Sequence, residues 1–390
     1  MNDILYLAWR YLRFNRGKTA VLVASISLIL FLPAALQVVV REGARTLTAR
    51  ADSSPLLVGS AGSAVDLTLG ALYFREPTLE PMVFTEVSRL AEADLATAIP
   101  LHLRYNVRGR RIVGTTLDYF EFRNLQVASG RTFAVLGECV LGASAARGLQ
   151  ATVGGHVLSS PAGAFDVAGT FPLKMKVVGV LAPTGTADDE AVFVDLKTAW
   201  VIAGLAHGHT DVTAPGAESG VLAVEGDNVV ANASVLSYTE ITPDNIDSFH
   251  FHGSPDGFPV DAILAVPHDR KSGVMLRGRY EEPGSAVQMV VPRAVVDDLV
   301  ETMFSIRDAV FAVSLGLGLA TIATAFLVFA LSIRLRRREI DTMRKIGVSR
   351  GRMRAVLATE VLLVVVVSVA LAATLTALVG RFGGAVVGLL

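Results

Sequence analysis

Cysteine is almost absent. Cys139 is the single one in 390 residues, which excludes an intramolecular disulfide framework and a thiolate metal cluster. The residue itself is expected as a small buried hydrophobe. Charge is sparse at 18% of residues, against about 25% in soluble globular chains. No HExxH or GxSxG pattern occurs in a workable context, and no convergent set of titratable residues stands out, which argues against a membrane-anchored enzyme. There is no internal repeat. The hydrophobic share of 52% excludes a disordered chain, and its distribution excludes a wholly soluble one.

That apolar content is concentrated in three runs. Residues 19–40 hold 22 uncharged residues, 309–333 hold 25, and 361–380 hold 20. A bilayer core of about 30 Å needs about 20 helical residues, so each run can span. Arg10, Arg13, Arg16 and Lys18 precede the first, as in a signal peptide, but a signal core is only about 7–15 residues long. An uncleaved anchor is the better reading, with Pro33 tolerated inside it. The nine residues after Arg381 are too few to cross. No side chain within the runs is ionisable, which argues against a proton or ion path through them. The fold class expected is an α-helical membrane protein with three transmembrane helices and a large extracytoplasmic α+β domain between the first and second.

Lys and Arg counts in the short flanks set the orientation. Residues 1–18 carry +3 and residues 334–354 carry +7, so both should be cytoplasmic. Taking those two values from the chain's −1 leaves −11 on 41–308, because Glu360 and Arg381 cancel. The N-terminus is then cytoplasmic, 41–308 outside, and the tail 381–390 outside. Within 3–16, Ile4, Leu5, Trp9 and Leu12 recur at helical spacing. They suggest an amphipathic lead-in helix at the inner surface, anchored by Trp9 and Tyr11, or a plain lead-in to the first span.

In 41–308, β-rich runs at 111–115, 138–142, 176–181, 191–195, 220–225, 262–266 and 286–291 mix with helical candidates at 85–93, 143–148 and 197–205. An α+β domain of two lobes is expected, with a candidate boundary near 207–218. From Arg293 to Arg338 there is no proline. One stalk helix of about 45 residues, about 68 Å long, is expected there, against the alternative of two helices broken near Asp308.

Candidate chemistry is thin. His207 and His209, and His250 and His252, form two i, i+2 pairs that would share a strand face, but neither shows a third ligand. They read as surface or loop histidines, with no metal. Arg16-Gly17-Lys18-Thr19 resembles the end of a phosphate loop, yet position 12 is Leu12 rather than glycine and a span follows, so nucleotide binding is rejected. Asn232-Ala233-Ser234 matches a glycosylation acceptor, a triplet common by chance. The most loaded segment is 334–354. A helix over 336–346 would stripe Ile340, Met343 and Ile346 on one face. Gly347 would stop it, and Ser349 would cap the next helix. Contact with anionic lipid, about 1 kcal/mol per basic residue, explains the charge. A helix–turn–helix with its own apolar stripe points further, to a docked cytoplasmic protein.

The stretch LRRREIDTMRKIGVSRGRMRAVLATEVLL (335–363) resembles the signature of MacB/FtsX-type permease subunits of ABC transporters. Residues 56–74, 114–133 and 177–196 are similar to the DevC-like and haem-exporter-like branch. The resemblance implies a non-catalytic membrane subunit. It places ATPase docking on Ile346, Gly347, Val348, Ser349, Arg350, Gly351, Arg352 and Arg354, and a coupling helix on Arg338, Glu339, Ile340, Met343 and Arg344. ATP and Mg would sit in a partner ATPase, with no cofactor on this chain. It further implies a permease homodimer or a pairing with another permease, a periplasmic adaptor as a further partner, and no nucleic acid. The long second helix would carry motion to the outside domain for export or extraction of a substrate. Haem, a lipid, a lipoprotein and a peptide are all compatible. Family members usually have four spans; three are expected here, with the C-terminus outside. The other reading is a non-transporting envelope regulator or binding protein.

Overall fold

The computed structural model describes residues 2–160, 172–208, 221–225, 228–231, 238–281, 284–335 and 337–387. It divides into two compact units, 50–296 and the combination of 1–49 with 297–390.

The chain opens with α1 (Asn2–Phe14) and α2 (Arg16–Asp52), then β1 (Leu56–Ser60), α3 (Ala64–Tyr73), β2 (Met82–Val83), α4 (Thr85–Glu92) and β3 (Ala96–Leu101). Next come β4 (Asn106–Val107), β5 (Arg110–Thr115), α5 (Leu117–Phe122), β6 (Val127–Gly130), β7 (Glu138–Leu141), α6 (Ala143–Leu149) and β8 (His156–Leu158). β9 (Lys174–Leu181), β10 (Val192–Asp195), α7 (Leu196–Ile202), β11 (Ala206–His207), β12 (Val221–Glu225), β13 (Asn228–Ala231) and β14 (His250–Phe251) follow. The last elements are β15 (Pro259–Val260), β16 (Ala262–Pro267), α8 (Arg270–Arg279), β17 (Val287–Val290), α9 (Pro292–Leu335), α10 (Arg337–Lys345) and α11 (Arg350–Val387).

In the 50–296 unit an antiparallel sheet runs β17-β1-β16-β3, and a mixed sheet runs β4-β5-β10-β7-β9-β6 with β8 on β9. β10 is parallel to β5 and antiparallel to β7. Mixed pairing with helices between the strands makes the domain α+β. Each sheet has its own apolar cluster. Cys139, Leu141, Val177 and Val192 lie in that of the mixed sheet; Val58, Leu90, Ile263 and Ala265 lie in that of the antiparallel one. α7 feeds both, because residues three or four apart share a helix face: Leu196 and Trp200 enter the second cluster, while Ala199 and Ile202 enter the first. The Trp200 indole N–H donates to Pro259 O at 2.9 Å.

Among the described residues of the other unit, three helices are long and apolar enough to cross a membrane: α2, α9 over its 292–331 portion, and α11 over 350–381. Ser27 Oγ of α2 donates to Ser368 O of α11 at 3.1 Å, both residues being buried. A Cβ on Gly318 of α9 would meet Ile29 of α2 at 3.6 Å. Small residues at such contacts let helices approach closely. α1 packs along α11 with Ala8 wholly buried, while Trp9 stays 55% exposed.

The helices run past their apolar cores. α2, at 37 residues, is about 56 Å long, and α9, at 44, about 66 Å. α9 is unbroken through Asp308. This is why the compact domain, 50–296, is narrower than the stretch 41–308 between the uncharged runs. The backbone of α11 likewise stays helical through Arg381 to Val387, where sequence reading ends the span at 380, because nothing there forbids another turn. Of the lobe-boundary stretch near 207–218, only 207 and 208 are described, and Asn232 and Ser234 lie outside the described residues.

Candidate functional site: a basic helical hairpin and a buried arginine anchor

Between α9 and α11 the chain makes a short helix and a tight stop. α10 spans Arg337–Lys345, and the Ile346 N–H still bonds Thr342 O at 3.1 Å. Gly347 then takes φ +89°, with open space where a Cβ would stand. Left-handed backbone at this point is how helices commonly close, and glycine adopts it without strain. Two residues on, Ser349 Oγ accepts the Arg352 N–H at 3.4 Å and Ser349 O accepts the Met353 N–H at 3.2 Å, which starts α11.

The docking residues named from the sequence are thus brought into one turn and the first turns of α11. Ile346 is 74% exposed, Ser349, Arg350, Gly351, Arg352 and Arg354 are exposed, and Val348 is half-buried. Of the coupling-helix residues, Arg338 is exposed. Glu339, Ile340, Met343 and Arg344 fall on the α10 backbone, with their side chains outside the described residues.

The electrostatics of this hairpin run against helix stability. Arg350, Arg352 and Arg354 crowd the first turns of α11, where the dipole is positive. A cation in the first turn is disfavoured by about 0.3–1 kcal/mol. A local rule broken in this way is expected where a surface serves a purpose other than stability. An exposed isoleucine beside three guanidinium groups suits an apolar and acidic protein surface.

A second constellation, which sequence reasoning missed, fixes the outer end of α2. Arg50 lies in the last turn of that helix and is 6% exposed. Its Nη1 and Nη2 donate to Asp188 Oδ2 and Oδ1 at 2.5 and 2.9 Å, a bidentate pair. Nε donates to Leu72 O at 2.6 Å, and Nη2 also reaches the Tyr119 hydroxyl at 2.9 Å. That hydroxyl donates to Asp188 Oδ1 at 2.7 Å. Burial alone would raise the Asp188 carboxyl, but the Arg50 hydrogen bonds and charge outweigh it and hold it below the usual carboxylate range. Burial pushes the Tyr119 hydroxyl up. Beside this anchor an ion pair joins Arg293, at the start of α9, to Asp52 at the end of α2. No short-range pattern ties Arg50 to Asp188, 138 residues on; a basic residue in a last helical turn was the one signal available.

Another buried carboxylate, Asp261, accepts from Leu103 N at 2.7 Å and Arg104 Nε at 2.7 Å, and lies 3.1 Å from His102 Nδ1. Burial opposes its ionisation, and His102, Arg104 and the Leu103 amide overcome that and lower it. Cys139 is fully buried with its thiol pushed up, by burial first and by Glu138 second, an inert packing residue. The described histidines of the two pairs, His207, His250 and His252, lie together on one ribbon; His209 is outside the described residues.

Residues 20–233, more than half of the chain, match the MacB-like periplasmic core domain, and residues 311–383 match the FtsX-like permease C-terminal family. Neither is an ATPase domain. The solved structures similar to this chain include the following two. The periplasmic region of MacB from Actinobacillus actinomycetemcomitans is 11% identical, with a TM-score of 0.36, covering 63% of this chain and 92% of that one. The extracellular domain of the noncanonic ABC-type transporter YknZ from Gram-positive bacteria is 11% identical, with a TM-score of 0.32, covering 60% of this chain and 98% of that one. No curated protein matches the chain. The order of elements, three membrane-length helices with an α+β domain between the first two, and the two family matches agree: this chain belongs to the MacB/FtsX family and is a permease subunit of an ABC transporter with an extracytoplasmic domain.

Proposed function

We propose that a separate cytoplasmic ABC ATPase docks on the turn 346–354, and that the permease converts its ATP hydrolysis into movement of the extracytoplasmic domain. The observation that carries this reading is the hairpin itself, where exposed Ile346 is followed, across the Gly347 turn, by exposed Arg350, Arg352 and Arg354. α10 serves as the coupling element and α9, helical from Pro292 to Leu335, as the stalk that carries the motion. Export or extraction of a substrate at the outer face follows from such movement. FtsX-like permeases pair with an ABC ATPase, and the nucleotide and its magnesium belong to that partner.

The basic flanks support a cytoplasmic position for residues 1–18 and 334–354, with the end of α11 outside. The sequence likeness over 56–74 and 177–196 favours the DevC-like and haem-exporter-like branch. An open groove of about 360 Å³ between α2 and α9, lined among others by Gly17, Ser25, Thr321 and Ala325, suits a spanning helix of a second permease copy, because small residues admit close helix packing. Co-isolation tests the central reading. The full chain in mild detergent should retain an ABC ATPase, and Arg350→Glu should release it while insertion stays intact. A wild-type chain that retains none, where established pairs survive, contradicts it.

A further inference from the structure

The ribbon β11–β14 carries three imidazoles on one face. The two strands are antiparallel, with Ala206 opposite Phe251 and His207 opposite His250. Opposed residues hold their Cβ atoms about 4.5–5.5 Å apart. His252, two residues beyond His250, returns to the same face, and its N–H prolongs the ladder to Leu205 O at 2.9 Å. The other face is fixed in the core: Ala206 is 1% exposed, and the Phe251 ring lies 6.5 Å from Trp200 and 5.9 Å from Phe258. Strand alternation therefore turns the histidines outward together. Their ring centroids are 5.0, 4.5 and 5.0 Å apart, and one ring nitrogen from each lies within 4.8 Å of the other two.

The ring positions suit a ligand set, once the proton shared by His252 Nε2 and His207 Nδ1 is displaced by the ion. His250 Nδ1 is 3.1 Å from Ser248 O, and a carbonyl can only accept, so the proton sits on Nδ1 and the lone pair on Nε2. A backbone carbonyl orienting an imidazole in this way is the usual outer support of a metal-bound histidine. His252 Nε2 and His207 Nδ1 are 3.1 Å apart, close to the roughly 3.4 Å between ligand atoms of a tetrahedral ion with bonds of about 2.0–2.1 Å.

We infer that His207, His250 and His252 form a binding site for a borderline divalent transition-metal cation of the zinc class, which fastens β11 to β14. Three neutral imidazoles without a carboxylate favour zinc, copper or nickel over the oxygen-seeking magnesium and calcium. Exposure of His250 and His252 leaves a fourth position to water. The site stands whether or not the hairpin at 346–354 docks an ATPase, and no residue is shared between the two.

The test uses the full chain in detergent, purified without a polyhistidine tag and stripped of metal. Titration with Co²⁺ should give visible d–d bands that saturate at one equivalent, Zn²⁺ should displace them, and Mg²⁺ should not. Zn²⁺ should raise the melting temperature. His207→Ala and His252→Ala should each weaken Zn²⁺ binding at least tenfold, and the variant lacking all three should bind none. His268→Ala, outside the cluster, should bind as wild type. Wild-type protein without bands, or equal affinity in the triple variant, overturns the site. Metal-free melts of the variants serve as the folding control. Should a variant unfold, the wild-type stoichiometry and Zn²⁺-over-Mg²⁺ preference decide alone.

Discussion

Arg50 carries a cost that only its neighbours offset. A guanidinium at 6% exposure is tolerable because Asp188, Tyr119 and Leu72 O take its donors. Removing one member of a buried pair strands the other, at about 3–5 kcal/mol. Asp188→Ala should therefore lower the melting temperature of the full chain in detergent markedly, whereas an exposed change such as Lys197→Ala should leave it within a degree or two. Asp188 and Asp261 both ionise below the usual carboxylate range. For depressed carboxyls the stabilisation is complete above the unfolded value of about 3.9 and is lost as pH falls through the folded values. Melting temperature should thus be flat from neutrality down to about pH 5 and fall steeply below about pH 4, with a shallower fall in Asp188→Asn. The pairings of Arg50 with Asp188 and of Arg104 with Asp261 were not legible in the sequence, since each joins groups more than a hundred residues apart. Cys139 was legible: a lone small apolar residue in a β-rich run belongs in the core.

At the scale of elements, what could be read depended on local signals. α9, α10, the Gly347 stop and the Ser349 cap follow from periodicity and cap chemistry, whereas α2 runs twelve residues past the end of its uncharged run, to Asp52, because helix continues where hydrophobicity no longer marks it. β3 was missed because Pro100 removes a ladder donor. The sheet tolerates it because β3 is an edge strand. α8 was missed because it buries little, chiefly Leu276 and Ser272, so no apolar stripe announces it, although Asp269 caps it by accepting from Ser272 N at 2.7 Å. The two histidine pairs were visible, but only the register of β11 on β14 joins them. The unbroken α9 bears the mechanical reading. Ser305→Pro, at an exposed position within α9, removes a helical hydrogen bond and kinks the rod at about 3 kcal/mol or more. ATP hydrolysis by the docked partner should persist while transport is lost. Loss of both, or of neither, contradicts a stalk role. Gly347→Pro cannot hold φ +89° and should abolish coupled hydrolysis without blocking insertion.

For the whole molecule, the near-neutral total charge conceals a separation of +10 on the two basic flanks from −11 on the stretch that contains the α+β domain. Because Cys139 is buried and its thiol is pushed up, a single introduced cysteine can be labelled against a silent background. Lys197→Cys should react with an impermeant maleimide added outside intact cells, and Ile346→Cys only after permeabilisation. If a second copy fills the groove between α2 and α9, Ser25→Cys should cross-link to another permease. The most direct measurement places a photo-crosslinking amino acid at position 346 of the full chain in its native membrane and identifies what it captures. A cytoplasmic ABC ATPase, captured at 346 and lost with Arg350→Glu, is the predicted product. Capture of lipid alone, or of a protein on the outer side, would contradict the account.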